Sequence, residues 1–135
     1  MKVTARRRKG YAHSLTVRHH TLIADEPERR GGSDTGPSPT ELLALSLAAC
    51  TAITVEMYAE RKEWDLGAVA VEVDYELQPK ATSRFDVVLK VPEGISDEQA
   101  EQLRAIAGKC PVHRTLTGEV EITDRIEHAG VSGDG

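Results

Sequence analysis

The sequence predicts an α+β fold, with strands joined by hairpins rather than by crossover helices. Three observations carry this. Alternating short runs open the chain, a long helix-like run follows at residues 38 to 62 with no charge between Glu41 and Glu56, and a second alternating pair lies between Val69 and Val91. Taken in order, the elements read β-β-β-α-β-β-α-α-β.

Val3, Ala5 and Arg7 share one parity, and "YAHSLTV" and "HTLIAD" follow after short gaps, which predicts three antiparallel strands near 2–8, 10–17 and 20–24. "EPERRGGSDTGPSP" is rich in Gly, Pro and charge and reads as a loop. The roughly 24 residues before it are too few to fold alone. The chain therefore reads as one domain over 1–135, with 124–135 as a loose tail.

The long helix begins on a capping box. Ser38 caps, Pro39 suits the first helical position, and Glu41 lies three residues after the cap. Arg61 and Lys62 occupy the last turn, where cations suit the carbonyl end of the helix dipole. No charge occurs between Glu41 and Glu56, so the helix is expected to be buried on most sides. The strands of so small a chain can hardly wrap it. A homodimer whose long helices pack together would cover it.

Val69, Val71, Val73, Tyr75 and Leu77 share one face, and Phe85, Val87, Leu89 and Val91 another; the turn "QPKATS" makes them a hairpin with one buried face. "SDEQAEQLRAIAGK" has its own capping box at Ser96 and Gln99. "CPVHRTL" starts a short third helix with Pro111 at its first position. "GEVEIT" is expected to be the last strand.

Composition excludes several classes. The net charge of −5 argues against nucleic-acid binding, which needs a positive face for phosphates, and the run Arg6-Arg7-Arg8-Lys9 reads as a solvated strand edge. The uncharged stretch from Leu42 to Val55 would span roughly 21 Å as a helix, against about 30 Å of hydrocarbon, so no membrane association is expected. The basic N-terminus is not followed by an apolar stretch, so it is not a secretory signal and the expected location is cytoplasmic. In that compartment two cysteines are inert thiols or a working redox pair rather than a permanent staple.

Cys50 shares a helix face with Ser46 and Thr54, bordered by Thr51. The bland alternative is a buried thiol acting as a small filler. Cys110 precedes Pro111 at a helix N-terminus, where backbone N–H groups favour a thiolate and are expected to make it the more acidic of the two. The two cysteines lie 60 positions apart, and a bridge requires their α-carbons within about 7 Å. Cys110 and His113 have a C-x-x-H spacing, but a zinc site needs three or four ligands, and His13, His19, His20 and His128 do not complete one. Neither a metal nor a cofactor is expected. Phosphate loops and serine-hydrolase elbows find no match.

Together, "GPSPTELLALSLAAC", "TAITVEMYAERK" and "CPVHRTL" resemble the OsmC-like family, which includes osmotically inducible protein C and the organic hydroperoxide resistance proteins. The resemblance covers nearly the whole chain. It implies an intertwined homodimer with two long central helices and cysteine-dependent peroxidase chemistry. Cys50 would be the peroxidatic thiol, Cys110 the resolving one, organic hydroperoxides the substrates and a dithiol the reductant. Peroxidase members also carry a Glu near the helix start that orients an Arg from an N-terminal strand onto the sulfur. Here that position is Thr40, with Glu41 one place later, while Tyr11 falls near the Arg position and Arg18 is a possible substitute. The departure leaves a second expectation open: a non-catalytic or sensor-like module that binds a small apolar or thiol-bearing ligand.

Overall fold

Five strands and three α-helices, with one short 3₁₀ turn, make up the fold among the described residues. A computed structural model describes residues 1–128, and the chain divides into two compact units, Met1–Leu42 with the segment from Thr123, and Leu43–Ile122.

In the first unit β1 (Val3–Lys9), β2 (Ala12–Val17) and β3 (His20–Ala24) form an antiparallel meander. Arg7 pairs with His13 and Lys9 with Ala12, so Arg8 is bulged out of the ladder just before the turn. The basic run is exposed along β1, as a solvated strand edge should be.

The Gly- and Pro-rich loop is held by one carboxylate. Asp25 is buried at the end of β3 and accepts hydrogen bonds from the Thr35 hydroxyl at 2.7 Å and from the N–H groups of Glu26, Thr35 and Ser33 at 2.7, 3.1 and 3.3 Å. The loop closes so tightly that only glycine fits at two places. A Cβ on Gly32 would stand 2.0 Å from the Glu26 carbonyl oxygen, and one on Gly36 would stand 2.3 Å from that of Ile23.

The Thr35 hydroxyl first, and then the backbone donors, hold the Asp25 pKa below its ordinary 3.8. Ionised Asp25 thus stabilises the fold above that value, and the contribution is lost as pH falls through the lowered pKa. Asp25→Ala is expected to lower Tm at neutral pH by about 5–10 °C. It should also flatten the loss of stability below pH 4, both read by thermal denaturation across pH.

α1 (Pro39–Arg61) starts on the predicted box: the Ser38 N–H donates to Glu41 Oε1 at 2.8 Å, and the Glu41 N–H donates to Ser38 Oγ at 3.3 Å. Its 23 residues, with a mean hydropathy of 1.7 over 18 of them, are long and apolar enough to cross a membrane, more than the uncharged stretch alone suggested. The fold gives that apolarity another use. Ala44, Leu47, Thr51, Val55 and Ala59 recur every three or four residues and are buried, which is one face. The expectation of burial on most sides is not met within one chain, since Leu45, Ile53 and Met57 are each more than half exposed.

In the second unit β4 (Ala70–Glu76) and β5 (Arg84–Lys90) pair in antiparallel register, with Tyr75 opposite Phe85 and their rings stacked at 6.0 Å. The hairpin's inward face is only half buried, because one layer of side chains has little behind it. The core gathers Val55 and Ala59 of α1, Leu66, and Leu103 of α2 (Asp97–Ala107), with Trp64, Leu89 and Val91 packed around them. α2 begins on the predicted box at Ser96 and Gln99. α3 (Pro111–Thr117) follows after a short turn.

One predicted element is missing. Residues 119–128 contain no strand, and Val120 and Ile122 are exposed. Alternation reports the capacity to pair, but a strand also needs a neighbour for its backbone N–H and C=O groups. Neither sheet supplies one here, since the only ladders among the described residues are β1-β2-β3 and β4-β5. Part of the predicted loose tail, 129–135, lies outside the described residues.

Candidate thiol site

The site grows from the buried face of α1 and the start of α3. Cys50 and Thr51 are consecutive on α1; Thr51 falls on the buried stripe at 1% exposure, and Cys50 beside it is half-buried. Cys110 is the N-cap of α3 and is 0% exposed. Its backbone is extended, as a cap requires, and its sulfur accepts the His113 N–H at 3.2 Å. The sulfur therefore occupies the place usually held by a Ser or Asp oxygen.

Both cysteines are free, and their side chains lie near enough for Cys50 to influence the Cys110 thiol. Residues 60 positions apart thus meet in one place. The Thr51 side chain is near enough to act weakly against the rise of the Cys110 pKa. The sequence placed Thr51 only at the border of a seam formed by Ser46, Cys50 and Thr54. The structure instead turns the Ser46 hydroxyl back to the Leu43 carbonyl at 2.6 Å and leaves Ser46 exposed. The spacing of the buried stripe was the signal that could have singled out Thr51.

The helix start was expected to lower the Cys110 pKa, and the direction is the reverse. Burial is the largest influence on it and raises its pKa above the ordinary 9.0; the hydrogen bond and charge of Cys50 push the same way. The His113 N–H and Thr51 oppose this, and they lose. A short helix offers a modest dipole, whereas removing a thiolate from water carries a heavy cost.

Two cavities reach this region. One of about 660 Å³ is walled by Phe85, Leu89 and Val91 of the hairpin side and Ala107 of α2, and touches Thr51 and His113. The other, of about 450 Å³, is lined by Leu43, Leu47, Leu77 and Leu116 and shares Phe85, Val87 and His113 with the first. The first cavity is also lined by Asp97, Glu101 and Arg104, whereas the second is mostly apolar and so better suited to an organic group; neither is lined by a cysteine.

The remaining predicted residues lie in the first unit. Arg18 is exposed in the β2–β3 turn with φ of 51°, a left-handed conformation. Thr40 is exposed, with its hydroxyl 3.4 Å from Ser38 Oγ. Glu41 is engaged in the capping box; the Ser38 N–H, then its hydroxyl, lower the carboxyl pKa, with a smaller contribution from Arg29. Among the described residues no group of three or more His, Cys, Asp and Glu is placed to hold a metal ion.

The model of the OsmC-like protein family matches residues 31–124, which include α1, both cysteines and α3. The chain belongs to the OsmC-like family. Among solved structures, an OsmC-like protein of Mycoplasma pneumoniae superposes with a TM-score of 0.73 at 19% identity, covering 87% of this chain and 86% of that one. An organic hydroperoxide resistance protein OsmC of Legionella pneumophila gives 0.62 at 23%, covering 87% and 90%. The organic hydroperoxide resistance protein OhrB of Bacillus subtilis gives 0.55 at 25%, covering 89% and 92%. No curated protein sequence matches the chain. The mixed α+β architecture of this OsmC-like chain is that of these neighbours, and the family suggests a redox or hydroperoxide-resistance role.

Proposed function

We propose that this OsmC-like protein is a cytoplasmic, homodimeric thiol peroxidase that reduces organic hydroperoxides with Cys50 and Cys110. The observation that carries the reading is the closeness of these two thiols from distant parts of the sequence. Exposure supports the roles that the family resemblance implies. Cys50 is reachable and Cys110 is not, so a peroxide meets Cys50 first.

The Cys50 thiolate attacks the terminal oxygen of R–O–OH. The O–O bond breaks, Cys50 becomes a sulfenic acid, and the alkoxide takes a proton to leave as an alcohol. Cys110, already in contact, attacks the sulfenic sulfur; a disulfide forms and water leaves. A dithiol reductant then supplies two electrons and two protons to restore both thiols. The apolar lining of the smaller cavity, with Leu43, Leu47, Leu77 and Leu116, favours an organic R group.

The exposed stripe of Leu45, Ile53 and Met57 favours the homodimer, since a second copy would cover it. The test is consumption of cumene hydroperoxide by the wild-type protein with dithiothreitol, together with mapping of a Cys50–Cys110 disulfide after oxidation. Absence of both consumption and disulfide would remove the reading. The second reading is a ligand-binding or sensor module, favoured by Thr40 at the family's Glu position. Native mass spectrometry showing a stoichiometric retained ligand, with no hydroperoxide consumed, would select it.

A further inference from the structure

The thiol chemistry makes no use of the basic run on β1. Lys2, Arg6, Arg7, Arg8, Lys9 and Arg18 lie within the first 24 residues, with no Asp or Glu among them. The other 11 Lys and Arg residues share the rest of the chain with all 22 acidic ones. An acidic protein thus carries one strongly basic meander.

Register sorts the side chains of that meander onto two faces. Ala5, Leu15 and Leu22 stand side by side on one face, and Thr4, Thr16 and Thr21 on the other, about 5 Å apart from strand to strand. Arg6 lies opposite Ser14 in the next row of the threonine face, roughly 7 Å along the strand. The register then slips between Arg7 and Lys9, and Arg7 and Arg8 border the same hollow as Arg6. The hollow has a volume of about 710 Å³, and every residue lining it is an arginine or carries a hydroxyl. The arginines are exposed, and Arg7 Nε donates to the Gly10 carbonyl at 2.8 Å, which holds one guanidinium at the turn.

This composition selects a ligand. Guanidinium forks and hydroxyl donors match acceptor oxygens that carry negative charge. Three guanidinium groups around one hollow favour an anion between them, and they offer more donors than the two oxygens of a carboxylate can use. Linked phosphates supply several charges and many oxygens over the span of two side-chain rows. A long polyanion or a membrane surface is a poorer match, because it also meets the field of the 22 acidic residues outside the meander. The lining side chains carry no ring on which a base could stack, so the phosphates themselves are what the hollow can recognise.

We propose that the threonine face of the β1–β3 meander is a binding site for a short oligophosphate, held by Arg6 and Arg8 with the Ser14 and Thr16 hydroxyls donating to its oxygens. The phosphates come either as a free chain or as the tail of a nucleoside triphosphate. The site is independent of the peroxidase reading and stands or falls without it.

Isothermal titration calorimetry of the full-length protein at low salt tests it, with inorganic triphosphate, adenosine triphosphate and orthophosphate as probes. Inorganic triphosphate is expected to bind with a Kd of about 0.1 mM, and orthophosphate about tenfold more weakly. Arg6→Gln combined with Arg8→Gln should weaken triphosphate binding about thirtyfold. The pair Arg29→Gln and Lys80→Gln removes the same charge outside the hollow and should change it by less than about twofold. Thr16→Val, which keeps every charge, should weaken it about threefold, and it carries the test should the arginine pair disturb folding. Inorganic triphosphate bound at least as tightly as adenosine triphosphate identifies a free phosphate chain as the ligand, and the reverse order identifies a nucleotide tail; both outcomes keep the site. No binding of either at millimolar concentration overturns the proposal. So does an equal loss in the Arg29 and Lys80 pair, or binding to phosphatidylserine vesicles with none to either triphosphate.

Discussion

Replacing Cys50 by serine is expected to abolish organic-hydroperoxide turnover, whereas Cys110→Ser is expected to keep the first half of the reaction and lose the second. The asymmetry follows from exposure and bonding. Cys50 is the thiol a peroxide can reach, and a serine hydroxyl there cannot take an oxygen from it. Cys110 is enclosed, so its loss spares the encounter with peroxide but removes the partner of the sulfenic acid. Cys110→Ser should therefore consume about one equivalent of hydroperoxide per protomer rapidly and then stall, with a dimedone adduct on Cys50 by mass spectrometry. In the wild type, burial and the neighbouring thiol raise the Cys110 pKa, so disulfide formation should keep accelerating as pH rises past 9.0. A Cys50→Ser protein that still turns over hydroperoxide would mean that the reactive atom lies elsewhere.

The fold was readable where local chemistry and periodicity agreed. Both capping boxes, Ser38 with Glu41 and Ser96 with Gln99, form as the side chains dictate. Both hairpins lie within a residue or two of their expected limits. What escaped depends on atoms distant in the chain. That Cys110 is enclosed, and so less acidic than a helix start suggests, follows from packing that only the folded chain provides. Thr51 looked like a neighbour of the functional face, because a position one residue along a helix turns about 100° away. The core stripe turns Thr51 inward, since burial of Leu47 and Val55 fixes the rotation of α1. The strand expected at "GEVEIT" was a sound reading of alternation and an unsound reading of pairing, a property of two segments rather than one.

Ile53→Glu is expected to have the largest effect on assembly. Leu45, Ala49, Ile53 and Met57 recur every four residues on α1 and are exposed in the single chain. Each step of four residues advances the stripe by about 40°, so it winds gently around the helix, as when two helices cross with their ridges interleaved. A two-fold contact would place Ile53 of both copies in the interface, so one substitution acts twice. At about 2 kcal/mol for each desolvated carboxylate, the dissociation constant should rise by roughly a thousandfold. Analytical ultracentrifugation over a concentration series would show this as a shift from dimer to monomer, with Glu72→Ala on exposed β4 as the unchanged control. Wild-type protein that sediments as a monomer at micromolar concentration would remove the interface. The same variant also divides the chemistry between protomers. Cys50 and Cys110 meet within one chain, so oxidised dithiothreitol should still close their disulfide in Ile53→Glu. If hydroperoxide turnover nonetheless falls, the partner contributes to the first half of the reaction rather than to disulfide closure.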